Sequence, residues 1–83
     1  GGEEFLVICP NTDLQSALPS AERLRTMLET RLIAIGNVQK SITASIGVAT
    51  RLAGTADIDA LVSAADQALY AAKQAGRNRV CAL

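Results

Sequence analysis

The strongest constraint on the fold is an alternation between short strand-like segments and longer segments with helical periodicity. Residues 5–9 are a continuous apolar run with Phe, Val and Ile, typical of a strand covered on both faces. After a turn signal at Gly36-Asn37, apolar and small or polar residues alternate over 42–49, which predicts a second strand. Residues 79–83 predict a third. The sequence therefore predicts a β-α-β-α-β order, an α/β class with helices packed on a sheet.

The first helical segment has apolar residues at the spacing of an amphipathic helix. These positions are Leu14, Ala17, Leu18, Ala21, Leu24, Met27, Leu28 and Leu32. Thr12, with Gln15 three residues later, matches a capping box, so we expect Thr12 to be the N-cap. Pro19 conflicts with a helix interior because it removes a backbone hydrogen bond. Either a first turn ends there and the main helix begins near Ser16, or the segment is one bent helix, which we prefer.

The second helical segment is rich in alanine, so the helix can lie close to a sheet. Asp57 is a suitable N-cap, and Asp59 falls in the first turn, where the helix dipole favours a carboxylate. The predicted buried stripe is Leu61, Ala64, Ala65, Ala68, Leu69 and Ala72. Gly76 is predicted to end the helix. In the second strand, Gly47 marks a close approach, either by a ligand or other backbone or by a helix packed above it.

Composition excludes several classes of function. The 83 residues make one small domain or part of one, with a thin core. Lys plus Arg and Asp plus Glu each number 8 and aromatics make up 2%, so no basic or aromatic nucleic-acid surface is predicted. Without histidine, imidazole metal sites and Ser-His or Cys-His catalysis are excluded. Cys9 and Cys81 lie in apolar runs and are predicted to be free, buried side chains.

The sequence also gives expectations about membrane contact and about whether the chain is a piece of a longer protein. There is no signal-peptide pattern and no apolar stretch of 18 residues, so we expect a soluble segment without membrane contact. The chain has no initiator Met and starts on glycines, which indicates a piece of a longer protein.

The first five residues carry the most distinctive chemistry. Gly1 and Gly2 predict a tight turn that can approach a ligand without a Cβ in the way. Glu3 and Glu4 supply hard oxygen ligands on a rim held by the following strand, which suits a polyphosphate bound through Mg²⁺. The alternative is a surface turn with two solvated acids.

Three stretches together are similar to one known family. They are residues 1–5 (GGEEF), 45–49 (SIGVA) and 68–78 (ALYAAKQAGRN). Their identity, order and spacing resemble the GGDEF family of diguanylate cyclases, in the variant with Glu at the third motif position, and the match covers the whole chain. The resemblance implies a nucleotidyl-cyclase-like, ferredoxin-like fold with helices on a central sheet and the motif on the turn of a β-hairpin.

The resemblance also implies an activity. Two such domains face each other, each holding one GTP, and each 3′-hydroxyl attacks the α-phosphorus of the other GTP to give cyclic di-GMP and two pyrophosphates. Two Mg²⁺ or Mn²⁺ ions neutralise the developing charge and activate the nucleophile. The expected partners are GTP, cyclic di-GMP and a second copy of the domain. Intracellular GTP and free cysteines imply a cytoplasmic location.

The motif match assigns roles to residues of this chain. Glu3 matches the metal ligand and candidate general base, and Glu4 matches the second essential acid, which orients the metal shell or the substrate. Gly1 and Gly2 match the glycines that let the turn approach GTP.

Three basic residues also match the family pattern. Lys73 and Arg77 match the pair that holds the phosphates, and they lie four apart at a predicted helix end, on one face. The alternative is a solvated helix end whose cations complement the helix dipole. Arg23 matches a helix arginine that contacts cyclic di-GMP at an inhibitory site in many relatives. Its alternative is one more exposed helix arginine.

By this resemblance, residues 1–83 are the C-terminal half of a domain. The part upstream of Gly1 would hold another metal-binding aspartate, the guanine-recognising residues and the Arg-x-x-Asp of the inhibitory site. It would also hold a strand that lies between the strand after the motif and the strand at 45–49. We therefore expect the isolated chain to be inactive and to cover its unpaired strand edges as a homodimer or a strand-exchanged oligomer.

Three functions remain open from the sequence. The first is part of a diguanylate cyclase catalytic domain. The second is a catalytically silent module that binds GTP or cyclic di-GMP and regulates a neighbouring domain, although the retained Glu3 and Glu4 argue against such degeneration. The third is a structural α/β fragment without a ligand.

Overall fold

A computed structural model describes the chain at residues 2–10, 12–51 and 57–82, and it confirms the predicted α/β class. In chain order the elements are β1 (Gly2–Pro10), α1 (Leu14–Thr30), β2 (Ile33–Ile35), β3 (Val38–Lys40), β4 (Thr43–Arg51), α2 (Ile58–Gln74) and β5 (Arg79–Ala82). The sequence predicts a loop over residues 51–56, around Gly54; Arg51 is instead the last residue of β4, and residues 52–56 lie outside the described residues.

The main sheet has three parallel strands in the order β1-β4-β5. Because the strands are parallel, all three begin at the same edge, and each helix, which runs back between two strands, ends there as well. We call this edge of the sheet the amino edge. It brings together the start of β1, the end of α2 and the turn before β5.

The strand β1 pairs directly with β4 along its whole length. The register runs from Gly2 opposite Thr43 to Pro10 opposite Arg51. The family resemblance implies a further strand between these two, so in this chain β1 occupies the position beside β4 that the further strand would take. Within the described residues, the unpaired edges of the main sheet are therefore the outer edges of β1 and β5.

The two helices cover opposite faces of β4, the central strand. The core cluster on the α1 side consists of Ala17, Ala21, Ala44, Ile46 and Val48. The cluster on the α2 side consists of Ala49, Leu61 and Ala65. Successive strand residues point to opposite faces, and β4 contributes buried residues to the clusters on both faces. β4 is therefore the central element of the core.

The strand β1 is less covered than its apolar sequence predicted. Phe5 and Leu6 are 36% and 40% exposed, whereas Val7 and Cys9 pack towards α1 and Ile8 packs towards α2. The prediction of cover on both faces is therefore wrong for the first half of the run. The reason is topological, because β1 is an edge strand and each helix lies mainly over β4.

Gly47 is where α2 comes closest to the sheet. A Cβ at this position would lie 2.1 Å from the carbonyl oxygen of Ala65 and 2.4 Å from the amide nitrogen of Leu69. The predicted close approach is confirmed, and the approaching group is the backbone of a helix. The alternative in which Gly47 packs beneath a helix is the correct one.

The helix α1 is one continuous element that contains Pro19, as preferred from the sequence. Its N-cap is Asp13, whose Oδ1 accepts a hydrogen bond of 2.7 Å from the amide of Ser16. The predicted N-cap Thr12 is therefore wrong by one residue. Its hydroxyl instead donates to the carbonyl oxygen of Pro10 at 3.2 Å. An ionised carboxylate is favoured over a hydroxyl at this end of the helix dipole.

A short hairpin between α1 and β4 was not predicted. The strands β2 and β3 pair antiparallel, with Ile35 opposite Val38, and Gly36 adopts the left-handed region at φ 63°. The observed order is therefore β-α-β-β-β-α-β. The two additional strands were not predicted because strands of three residues are too short to show periodicity. Leu32, assigned to the helix stripe from the sequence, lies just before the hairpin and is 67% exposed.

The helix α2 matches its prediction closely. Asp57 is the N-cap and accepts hydrogen bonds from the amides of Asp59 and Ala60. The predicted stripe is buried except at Ala64, which is half-buried. Both α1 and α2 have 17 residues, and no helix in the described parts of the chain is long and apolar enough to span a membrane.

Candidate functional site

The two motif acids lie within β1 and not in a turn. The strand already begins at Gly2, and Glu3 and Glu4 stand opposite Ala44 and Ser45 of β4. The predicted turn is therefore wrong for residues 2–4, because pairing with β4 extends the strand to this point. Gly1 lies outside the described residues.

Glu3 and Glu4 project to opposite faces of the sheet, because neighbouring strand residues alternate. Val7, which shares the parity of Glu3, packs on the α1 side, and Ile8, which shares the parity of Glu4, packs on the α2 side. Both acids are exposed at the amino edge. They can reach one ligand only around the edge of the sheet.

Glu4 is the acid that meets the predicted basic pair. Its Oε1 lies 3.3 Å from Nζ of Lys73, and its Oε2 lies 3.6 Å from Nη1 of Arg77. Among the described side chains, Glu3 has no ion pair within 4.0 Å. The fold thus brings the GGEEF motif into contact with Lys73 and Arg77, and the motif residue that makes the contact is Glu4, not Glu3.

The turn after α2 brings Arg77 to this position. The helix ends at Gln74, and the amide of Arg77 donates to the carbonyl of Ala72 at 2.9 Å while the amide of Gly76 donates to the carbonyl of Lys73 at 3.3 Å. These two bonds form a Schellman motif with Gly76 in its C′ position, at φ 120°. The prediction that Lys73 and Arg77 share a helix face is therefore wrong, since Arg77 lies beyond the helix.

Asn78 fastens this turn to the rest of the fold and was not singled out from the sequence. Its amide donates to Oγ of buried Ser45 at 3.2 Å. Its side-chain Oδ1 accepts from Nη1 of Arg25 at 3.0 Å, and its Nδ2 donates to Oε2 of Glu29. One asparagine therefore links the turn to β4 and to α1.

Arg25 is the centre of a second charge cluster on α1. Its guanidinium contacts the carboxylates of Glu22 and, at 2.8 Å, Glu29, and its side chain is only 18% exposed. The hydrogen bond from Arg25 lowers the pKa of Glu22, and the same bond raises the pKa of Arg25. The spacing of acids three residues before and four after Arg25 is the sequence signal that could have identified the cluster.

Within the described residues, the amino edge offers side chains and not helix amides to an anion. Both helices end here, and a helix C-terminus carries partial negative charge and presents carbonyl groups, so it lacks the amide donors that bind phosphate at helix N-termini. Lys73 and Arg77 supply the positive charge, and their side chains are 33% and 58% exposed. An ammonium beside a guanidinium fork is suited to a polyphosphate, which would compete with Glu4 for both cations.

The described residues at the amino edge offer few ligands to a divalent metal ion. The carboxylate oxygens of Glu3 have the chemistry that Mg²⁺ prefers, whereas those of Glu4 already face two cations. The described ranges contain no group of three or more Asp, Glu, His or Cys side chains that could hold a metal. Glu3 fits as one ligand of an ion whose other ligands are phosphates, waters or residues outside these ranges.

Among the described side chains, the remaining predicted residues make no hydrogen bond or ion pair with Glu4, Lys73 or Arg77. Arg23 is an exposed residue of α1, and within the described side chains it makes no ion pair. Cys9 and Cys81 are free, as predicted, but each is only half-buried in the sheet, where buried side chains were predicted.

Comparison with known proteins identifies relatives over almost the whole chain. The family described as "Diguanylate cyclase, GGDEF domain" matches residues 1–79. The chain is 41% identical over 80 residues to Diguanylate cyclase A of Treponema denticola, covering 96% of this chain and 22% of that protein. It is 45% identical over 83 residues to Response regulator PleD of Caulobacter vibrioides (96% and 18%). It is 40% identical over 81 residues to Diguanylate cyclase DosC of Escherichia coli (96% and 17%).

The chain spans about a fifth of the length of these relatives, between 17% and 22%. No solved structure matches it. The family match covers the motif acids, the buried central strand and the turn that carries Lys73 and Arg77. On these grounds the chain belongs to the GGDEF domain family of diguanylate cyclases.

Proposed function

We propose that residues 1–83 are the C-terminal part of a diguanylate cyclase catalytic domain that condenses two GTP molecules into cyclic di-GMP and two pyrophosphates. The observation that carries this proposal is the convergence of Lys73 and Arg77 on Glu4, one residue from Glu3, at an exposed edge of the sheet. This arrangement supports a triphosphate site because two cations lie at an exposed edge of the sheet, and Glu3, on the opposite face of the same strand, offers a hard oxygen ligand around that edge.

In this proposal, the basic pair and the acids have different tasks. Lys73 and Arg77 hold the phosphates of GTP and exchange part of their contact with Glu4 for contact with the ligand. Glu3 binds a divalent ion and is the candidate base that takes the proton from the 3′-hydroxyl. Glu4 is the second essential acid and orients the metal shell or the substrate, and the glycines before Glu3 leave room for the substrate. A bound Mg²⁺ or Mn²⁺ ion would neutralise the charge that develops during phosphoryl transfer.

The reaction requires two copies of the domain. The 3′-oxygen of one GTP forms a bond to the α-phosphorus of the other, the bond from that phosphorus to the β-phosphate bridging oxygen breaks, and pyrophosphate leaves. A second, equivalent step closes the ring. Since each domain holds one GTP, a homodimer of the domain is the proposed catalytic unit. Because the substrate GTP is intracellular, the proposed location is cytoplasmic.

Arg23 is proposed as part of an inhibitory site for cyclic di-GMP. Its exposure on α1, outside the ion pairs of Glu4 with Lys73 and Arg77, supports a second binding surface. We expect Arg23→Ala to relieve inhibition by added cyclic di-GMP while leaving the initial rate in its absence unchanged.

A second candidate function is a silent module that binds GTP or cyclic di-GMP and regulates a neighbouring domain. One observation favours it: the carboxylate of Glu4 is occupied by Lys73 and Arg77. The two candidates differ in a single outcome, which is whether product forms from bound GTP.

The test uses this chain within the full-length protein that carries it, with GTP and Mg²⁺. Lys73→Ala and Arg77→Ala should each raise the Michaelis constant for GTP by about tenfold or more, as expected for loss of a hydrogen bond to a charged group. Arg51→Ala is the matched control, because Arg51 is the last residue of β4 and so lies at the end of the sheet opposite the amino edge. Equal constants for all three variants would contradict the proposal.

The isolated 83-residue chain gives a complementary result. We expect no cyclic di-GMP from it, because the proposed upstream aspartate and guanine-recognising residues are missing. Product from the isolated chain would show that the residues here suffice. GTP binding without product from the full-length protein would support the silent module.

A further inference from the structure

We infer that Asn78 is a positioning residue for the phosphate-binding side chain of Arg77, and that Arg25 and Glu29 of α1 hold Asn78 in place. This inference rests on the proposed function of Arg77. It assigns a part in ligand binding to α1, a helix that contributes no side chain to the contact among Glu4, Lys73 and Arg77.

The backbone conformation of Arg77 requires support from its surroundings. Arg77 and Asn78 have φ angles of 65° and 49°, in the left-handed region. Asparagine tolerates this region because its short side chain forms local hydrogen bonds, whereas arginine disfavours it. Such a conformation persists only where neighbouring contacts determine it, and it is often found where a side chain must be aimed.

The structure supplies such contacts on both sides of Arg77. Its amide donates to the carbonyl of Ala72 at 2.9 Å, which ties it to the end of α2. The next amide, of Asn78, donates to the buried hydroxyl of Ser45 at 3.2 Å, which ties the turn to the central strand. The carbonyl of Arg77 accepts from Nε of Arg79 at 3.1 Å. The Cα of Arg77 is therefore fixed, although its guanidinium is exposed.

The side chain of Asn78 adds the contact with α1, and only a primary amide satisfies both partners. The oxygen accepts from the guanidinium of Arg25, and the nitrogen donates to the carboxylate of Glu29. An aspartate could accept from Arg25 but could not donate to Glu29, and two carboxylates would face each other. Arg25 is itself held between Glu22 and Glu29, so the anchor is a connected cluster.

Fixing the Cα of Arg77 in advance should strengthen GTP binding. A side chain that is already directed at its ligand loses less conformational freedom on binding. Loosening the Asn78 anchor should therefore weaken GTP affinity through Arg77, with a smaller effect on the rate at saturating GTP. This differs from a general loss of stability, which would lower the amount of folded protein without depending on Arg77.

The test measures the dissociation constant for GTP in the full-length protein that carries this chain. Asn78→Asp should raise this constant about threefold to tenfold, the effect of one hydrogen bond with modest net strength. Adding Glu29→Gln should restore it to within about twofold, because the new amide at position 29 can donate to the new carboxylate at position 78. The double variant also keeps the net charge of the cluster.

The decisive comparison uses the Arg77→Ala background. If Asn78 acts through Arg77, Asn78→Asp should cause no further loss of affinity there, since the two effects are not additive. An equal loss in both backgrounds would overturn the inference. Should Asn78→Asp fail to fold, Asn78→Gly keeps the left-handed backbone and removes only the side chain, and it should show the same dependence on Arg77.

Failure of this inference is distinguishable from failure of the proposed function. If Arg77→Ala weakens GTP binding and both Asn78 variants leave it unchanged, only the role of Asn78 is wrong. If Arg77→Ala itself has no effect, the proposed phosphate site is wrong, and the inference is wrong with it.

Discussion

The ammonium of Lys73 lies 3.3 Å from a carboxylate oxygen of Glu4, although 69 positions separate the two residues in the sequence. The contact connects the last turn of α2 with the start of β1. Since the two side chains are 33% and 43% exposed, water and salt screen the attraction, and a competing anion has access to it. Its importance should therefore lie in ligand binding more than in stability.

A double-mutant cycle checks this view of the Glu4–Lys73 pair. Glu4→Gln and Lys73→Met should show a coupling energy of about 0.2–1 kcal/mol in the free energy of unfolding, as for other exposed pairs. Urea denaturation of the two single variants and the double variant measures it. The pair of Glu4→Gln with Lys40→Met is the control and should show no coupling. A coupling above about 2 kcal/mol would mean that the contact is mainly structural.

Gly47→Ala should be among the most destabilising single changes in this chain. The added methyl group would meet two backbone atoms of α2 that cannot rotate away, at 2.1 Å from Ala65 and 2.4 Å from Leu69. The helix must move off the sheet, so we expect a loss of about 3 kcal/mol or more in the free energy of unfolding. Chemical denaturation of the purified variant measures the loss.

Gly36→Ala is the matched control for Gly47→Ala. A Cβ at Gly36 meets nothing within 4 Å, but the residue has a φ of 63°. Only the cost of the left-handed backbone remains, about 1–2 kcal/mol. Equal losses for the two variants would show that the packing of α2 on Gly47 is looser than the structure indicates.

The pair of Glu22 and Arg25 predicts a small dependence of stability on pH. The hydrogen bond from Arg25 lowers the pKa of Glu22 below 4.5 in the folded state. A lowered folded-state pKa stabilises the protein above the unfolded pKa, and this contribution disappears as the pH falls through the folded value. Glu22→Gln should therefore cost about 0.5 kcal/mol at pH 7 and nothing below the folded pKa, since Glu22 is half exposed.

Thermal or urea unfolding at several pH values measures this difference. The control makes the Glu22→Gln substitution in the Arg25→Gln background. Without the guanidinium, this substitution should change the free energy of unfolding by the same small amount at every pH. A difference between wild type and Glu22→Gln that grows as the pH falls would contradict the assigned direction of the shift.

The outer edge of β1 predicts self-association of the isolated chain. This edge has no partner strand within the described residues, and Leu6 beside it is 40% exposed. We expect light scattering to show a homodimer or a strand-exchanged oligomer. Leu6→Lys should reduce the measured mass of this assembly. Val38→Lys, at an exposed apolar residue of the hairpin, should leave it unchanged. A monodisperse monomer of the unsubstituted chain at dilute concentration would contradict this prediction.

The sequence by itself determined the α/β class, most of the buried stripe of α2, its cap at Asp57 and the C′ residue Gly76 that follows its end. These features depend on local periodicity and on the conformational preferences of single residues, which the amino-acid order contains directly. The three stretches at residues 1–5, 45–49 and 68–78 were sufficient to identify the family for the same reason, since a motif is a local pattern.

Only the tertiary structure decided which acid meets the basic pair and which residues hold that pair in place. Strand alternation sends Glu3 and Glu4 to opposite faces, and the Schellman turn returns Arg77 to Glu4 from beyond the helix end. Asn78 joins Arg25, Glu29 and Ser45 through contacts that span 33 to 53 residues. Such contacts arise from the packing of α1, β4 and the turn before β5 around one edge of the sheet, and no local pattern specifies them.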